Sequence, residues 1–190
     1  MPPSPGDSFD LRVSLRDIEP TIWRAVSVPA AMPLSGLHEV LQVAFGWQNC
    51  HLHDFRVGDM RFSAPSVEDE MFSVDEGAAP LGAIVSVGST FVYHYDFGDD
   101  WEHSITVERV SHDNDRTIRC SGGARACPPE DCGGAHGYAH LLEVLANPKD
   151  EEYADLKAWV PRGFDPERFA LAPVRKKLAT LSKRLARWQK

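Results

Sequence analysis

YHYDFGDDWEH, residues 93–103, gathers four aromatics, two histidines and three aspartates around a single glycine. Phe91, Tyr93, Tyr95 and Phe97 alternate with other residues on the way into it. That period of two predicts a half-buried strand, with the aromatic face towards the core and His94 and Asp96 on the opposite face. Beyond the glycine, Ile105 and Val107 resume the alternation, and His103 begins the return strand. The stretch therefore reads as an antiparallel hairpin whose tip carries Asp99, Asp100 and Glu102.

The flanking text extends the same architecture. Phe9, Leu11, Val13 and Leu15 alternate with Asp10, Arg12 and Ser14, and after a turn at DIEP the run from Ile22 to Val28 is rich in strand formers. These two runs predict an antiparallel pair. Leu34, Leu37, Leu41 and Phe45 fall at helical spacing, with Ser35 near the start as a cap and Gly46 at the end. Phe55–Val57, Gly58-Asp59 and Met60–Phe62 predict a two-residue hairpin. Residues 64–80, acidic and rich in Ser, Pro and Ala, predict a surface loop.

Prolines and glycines across CSGGARACPPEDCGGAHG, residues 120–137, predict turn chemistry without regular structure. Short helices are expected over 138–146 and near 153–160. Leu171, Val174, Leu178, Leu181, Leu185 and Trp188 then step by 3, 4, 3, 4 and 3, an amphipathic helix with Pro173 in its first turn. The fold class expected is α+β: one domain over residues 9–170, an antiparallel sheet backed by helices, with a disordered leader over 1–8 and a basic amphipathic C-terminal helix over 171–190.

At 190 residues the chain has the size of one domain. There is no basic-start, apolar secretory leader and no run approaching the roughly 18 apolar residues of a membrane span. The expectation is a cytoplasmic protein without a membrane partner. The net charge of −8 divides unevenly: residues 162–190 carry nine basic and two acidic side chains (+7), the remainder eleven basic and 26 acidic (−15). An acidic body does not coat nucleic acid, which leaves residues 170–190 as the candidate for any phosphate contact.

Three stretches carry chemistry. In the hairpin, Asp96, Asp99 and Asp100 beside histidine can hold a cation or serve as local turn braces. In HLH, His51 and His53 lie two apart, so on a strand they share a face and can ligate one metal, or pack at a core edge. In the proline loop, Cys120, Cys127, Cys132 and His136 offer a zinc ligand set without the tight C-x2-C knuckle, or else small buried hydrophobes. Within that loop PPED presents Glu130 and Asp131 on a stiff backbone. No P-loop, dinucleotide fingerprint, nucleophile elbow or H-E-x-x-H motif is present.

Taken together these stretches resemble the plasmid pRiA4b ORF-3-like family. The resemblance rests on LRDIEPTIWRAVSVP (15–29), LHEVLQVAFGW (37–47), HLHDF (51–55), YHYDFGDDWEH (93–103), GARACPPEDCGGAHGY (123–138) and FDPERF (164–169). It implies a single α+β domain associated with plasmids and mobile elements, and marks Asp96, Gly98, Asp99, Trp101, His103, Pro128, Pro129, Glu130, Asp131, Gly133, Gly134 and Tyr138 as motif positions. No catalytic role comes with them, and the helix after residue 170 extends past the shared core. A resolvase-like name used within the family finds neither a serine- nor a tyrosine-recombinase residue set here.

Three functions are consistent with this text. The first is a non-catalytic binding module, with Tyr95, Asp96, Asp99, Asp100, Trp101, His103, Pro129, Glu130, Asp131 and Tyr138 forming an acidic, aromatic-rimmed surface for a protein or basic peptide. The second is a metal-dependent hydrolase or nuclease, with Asp96, Asp99, Glu130 and Asp131 around a divalent cation and His103 or His53 as base. The third is accessory DNA binding by residues 170–190. The first two require that the glycine turn and the proline loop meet.

Overall fold

The structure, a computed structural model, describes residues 4, 6–65, 73–112 and 116–186. Among the described residues eight strands form one sheet: β1 (Ser8–Leu15), β2 (Trp23–Pro29), β3 (His53–Val57), β4 (Met60–Ser63), β5 (Val74–Asp75), β6 (Thr90–Tyr95), β7 (Trp101–Ser111) and β8 (Arg119–Ala124). Their spatial order is β5-β4-β3-β6-β7-β1-β2-β8. Every pairing is antiparallel except β4 with β5, so the sheet is mixed rather than purely antiparallel.

The predicted pairs are present. β1 lies against β2 with Val13 opposite Arg24, β3 and β4 close on Gly58-Asp59 with Val57 opposite Met60, and β6 returns as β7 with Tyr95 opposite Trp101. β1 also pairs with β7, which joins the two hairpin systems into one sheet. Phe9, Leu11 and Val13 of β1, Phe91, Tyr93 and Tyr95 of β6, and Ile105 and Val107 of β7 turn to a common core. That one-faced burial is what the period of two encodes.

Among the described residues the sheet is accompanied by the helices α1 (Leu34–Phe45), α2 (Leu81–Ile84), α3 (Gly134–Ala146), α4 (Tyr153–Trp159) and α5 (Leu171–Leu185). α1 buries Leu34, Leu37, Val40, Leu41 and Phe45 and ends on Gly46 in the left-handed region. Ser35 does not cap it; Pro33 occupies the cap position, and the Leu34 amide donates to the Ala79 carbonyl instead. Leu178, Leu181 and Leu185 of α5 belong to the same core as the sheet. Arg184 pairs with Glu39 of α1, and Arg175 donates to the Cys120 carbonyl of β8. Trp188 and residues 1–3 and 5 of the leader lie outside the described residues, while Asp7 is buried and Ser8 begins β1.

Other expectations are corrected by context. Phe97 does not continue the aromatic face: β6 stops at Tyr95, Asp96 takes φ +57°, and Phe97 is exposed. The segment 64–80 is not all loop, because Val74 and Asp75 pair with β4 and a 3-10 turn, Glu76–Ala78, buries Glu76. Residues 120–124 are not irregular either. They form the edge strand β8, where glycine is needed for packing: a Cβ on Gly123 would come within 2.6 Å of the Phe169 ring.

Arg24, only 1% exposed, ties this edge to α1. Its guanidinium donates to the carbonyls of Ala44, Trp23, Ala124 and Arg125 at 2.7–3.0 Å. Four carbonyl dipoles, one from the last turn of α1, compensate a cation for which burial lowers the pKa.

Candidate functional site

The site begins where β6 ends. Asp96 turns the chain with its left-handed backbone, and its Oδ1 accepts from the amides of Gly98 at 3.0 Å and Asp99 at 3.3 Å. The Asp100 amide closes the turn on the Asp96 carbonyl at 2.7 Å. Asp99 faces the other way, and its Oδ2 accepts from the Gly133 amide at 3.1 Å. The next residue must be glycine, since a Cβ on Gly134 would stand 2.5 Å from the Asp99 carbonyl oxygen. The glycine turn and the proline loop are therefore in direct contact.

Glu130 of that loop is buried, and its Oε1 accepts from the Gln48 amide at 2.6 Å and the Tyr95 hydroxyl at 3.0 Å. The Tyr95 oxygen in turn accepts from the Cys50 amide at 3.2 Å. Burial first, then the neighbouring Glu130 charge, raises the Tyr95 pKa strongly, so the phenol stays a proton donor. Among the described residues Glu130 Oε2 has no hydrogen-bond partner.

The connection from α1 to β3 supplies the fourth wall. Gln42 Oε1 accepts from the Asn49 amide at 2.7 Å, and Asn49 Oδ1 accepts from His38 Nε2 at 2.8 Å. His38 Nδ1 then accepts from the Tyr93 hydroxyl at 2.8 Å. Burial, followed by the charge of the stacked His53, takes the His38 pKa down to about 4. Held this way, the connection delivers His51, whose Nε2 lies 3.1 Å from Asp131 Oδ1, 3.5 Å from Asp96 Oδ2 and 3.8 Å from Glu130 Oε2. That nitrogen is buried and, among the described residues, also lacks a hydrogen-bond partner.

Beside this cluster runs a cleft of about 360 Å³, lined by Phe45, Gln48, Pro129, Trp159, Pro161 and Phe164 among others, and by Glu130 and Asp131. Among the described residues no basic side chain lines it. An imidazole facing three carboxylate oxygens, next to apolar walls, is suited to holding positive charge and recognising an apolar body attached to it.

The expected site residues separate into groups. Asp96, Glu130 and Asp131 converge, and Tyr95 and Asp99 position them. Trp101 at 2% and Tyr138 at 1% exposure form no rim; they are core, and the indole exposed beside the carboxylates is Trp159 at 47%. His103 is fully buried: Trp47 Nε1 donates to its Nε2, its Nδ1 lies 3.2 Å from the Tyr93 carbonyl, and burial takes its pKa to about 3. It is a neutral structural imidazole. His53 does not join His51, because its Nε2 lies 3.0 Å from Glu76 and its ring stacks on His38. His94 is buried rather than solvent-facing, with Arg56 at 2.5 Å and Asp100 Oδ1 2.7 Å from its other nitrogen.

Among the described residues, ligand atoms within 4.8 Å of one another occur in two sets of three or more, Cys50–His51–Glu130 and His51–Asp96–Asp131. Cys120, Cys127, Cys132 and His136 join neither. Burial raises the pKa of all three thiols, that of Cys132 to about 12, and His136 is exposed. Sequence reasoning missed Gln48, Cys50 and Trp159 and gave His51 the wrong companion. The only sequence signal for His51 was the HLH pair.

The sequence profile described as plasmid pRiA4b ORF-3-like protein matches residues 7–172. An uncharacterized protein, y4hQ, of Sinorhizobium fredii (strain NBRC 101917 / NGR234) is 42% identical over 155 residues, covering 78% of each chain. The crystal structure of MM3350, a protein of unknown function from Methanosarcina mazei Go1, superposes with a TM-score of 0.80 at 32% identity, covering 87% of this chain and 96% of that one. Among the described residues no helix is long and apolar enough to cross a membrane.

Proposed function

The chain belongs to the plasmid pRiA4b ORF-3-like protein family, and from that premise we propose that it is a non-catalytic binding module whose acidic cleft takes a basic segment of a protein partner. The observation that carries this reading is the cleft itself. Its lining joins aromatic and proline side chains to Glu130 and Asp131, and among the described residues no basic side chain competes for them. A lysine or arginine with an apolar neighbour matches that chemistry, its charge on the carboxylates and its stem against Trp159 and Phe164.

The hydrolytic alternative draws less support, because both histidines expected to act as base are engaged elsewhere, His103 in the core and His53 on Glu76. DNA contact through the basic helix draws less again, since Arg175 and Arg184 are turned onto β8 and α1. The test is titration with a short Trp-Arg-containing peptide and its Trp-Glu counterpart, followed by calorimetry. The basic peptide binds, the acidic one does not, and Trp159→Ala abolishes binding without changing the circular dichroism. Equal binding of both peptides, or none, overturns the reading.

A further inference from the structure

We infer that Cys50, His51 and Glu130 form a site for one zinc ion, open on its fourth side. Cys50 and His51 lie in the connection from α1 to β3, and Glu130 lies in the proline loop between β8 and α3. Their ligand atoms, one from each residue, all stand within 4.8 Å of one another. His51 also belongs to a second set, with Asp96 and Asp131, which does not include Glu130. Burial decides between the two.

The Glu130 side chain is 5% exposed, and among the described residues its Oε2 has no hydrogen-bond partner. The His51 Nε2, 3.8 Å away, is buried and unmet as well. A charged oxygen taken out of water is unfavourable unless a proton donor or a cation meets it, and 3.8 Å is too long for a hydrogen bond. Two donors bonded at about 2.0–2.2 Å to one tetrahedral zinc stand about 3.3–3.5 Å apart, so a small closure seats the ion between them. The second set carries no such demand. Asp96 Oδ1 holds two turn amides, and the Asp131 side chain is 70% exposed to water.

The bonds behind the three donors hold them in place. Glu130 Oε1 accepts from the Gln48 amide at 2.6 Å and the Tyr95 hydroxyl at 3.0 Å, which leaves Oε2 as the free oxygen. The same Tyr95 oxygen accepts from the Cys50 amide at 3.2 Å. Asn49, at φ +54°, turns the chain just before Cys50 and is bonded to Gln42 and His38. Such outer partners are what orients the ligands of a metal site. One thiolate, one imidazole and one carboxylate favour zinc over magnesium or calcium, and three protein donors leave the fourth position to water. Cys50 is exposed, so that position opens to solvent. On binding, the thiol releases its proton to solvent, and one thiolate with one carboxylate balances the dication. Asp131 is not a donor and keeps its negative charge in the cleft.

The experiment uses the full chain, reduced, stripped with EDTA and titrated with Zn2+, and with Co2+ for its absorption. One ion per chain is expected, with a rise in Tm and a near-ultraviolet band from the thiolate–cobalt bond. Cys50→Ser removes that band, and Cys50→Ser and Glu130→Gln each weaken zinc binding by more than about 100-fold, beyond the about 10–100-fold that loss of an outer partner brings. Asp131→Asn leaves binding and band unchanged. Should Glu130→Gln fail to fold, Cys50→Ser, at an exposed position, keeps the test. Binding well below one equivalent, a band or an affinity that survives Cys50→Ser, or binding lost in Asp131→Asn overturns the proposal. The site does not rest on the peptide reading: Trp159→Ala removes peptide binding and leaves zinc bound, so the two fail independently.

Discussion

The Tyr95 hydroxyl donates to Glu130 Oε1 across 3.0 Å, joining the last residue of β6 to a loop thirty-five residues later. Together with the Gly133 amide donating to Asp99, this bond makes the hairpin tip and the proline-braced loop a single surface. It also decides which oxygen of Glu130 is spent on the protein and which is left facing His51.

Removing it leaves a buried carboxylate oxygen with one donor and the Cys50 amide with none. Tyr95→Phe is therefore expected to destabilise the protein by about 1–3 kcal/mol, read as a lower urea midpoint at unchanged slope. An unchanged midpoint would show that Glu130 is held by the Gln48 amide alone.

Two tryptophans give opposite outcomes. Trp101→Ala opens a core cavity and costs about 3–5 kcal/mol, whereas Trp159→Ala changes stability by about 0.5 kcal/mol or less. Thermal or urea unfolding of the two variants checks this directly, since the residues are 2% and 47% exposed.

Acid should destabilise the fold through His38 and His103. Both are neutral in the folded chain, with pKa values of about 4 and about 3, while in the unfolded chain each takes a proton near pH 6.5. The unfolded state thus binds more protons below that pH. Their contribution is fully present above pH 6.5 and falls by at most ~1.4 kcal/mol per unit and per histidine, down to about pH 4 for His38 and about pH 3 for His103. Imidazole NMR signals that titrate near 6.5 in the folded protein would refute it.

The terminal helix is core as well as surface. Leu178→Ala removes a side chain with no exposed area and is expected to cost about 2–5 kcal/mol. Truncation at residue 170 should then lower Tm as well as any DNA affinity, and a truncated chain with unchanged Tm would contradict the packing.

Arg24 makes the companion case. Arg24→Met keeps the bulk but strands four carbonyls, and a loss of about 2–4 kcal/mol is expected by chemical denaturation.

Much of the architecture was legible because its signals are local. A period of two in Phe9–Leu15 and in Phe91–Tyr95, a period of 3.6 in Leu34–Phe45, and Gly58-Asp59 between two short runs each report which face a segment buries. Failures fell where a distant partner overrides local preference. Gly122 and Gly123 read as a turn until Trp23 and Phe169 are seen packed over them. Phe97 read as core until Asp96 bent the chain and turned it out.

The candidate site divides along the same line. Its acidic and aromatic composition, and the two stretches that carry it, stood in the sequence. His51 as the centre, His103 as a buried neutral imidazole, and Trp159 in place of Trp101 did not. Period and turn chemistry are set by bonds between neighbours in the chain and can be read one segment at a time. Which nitrogen faces which carboxylate depends on strand register and on packing between residues 51, 96 and 130, and only the folded chain brings those three together.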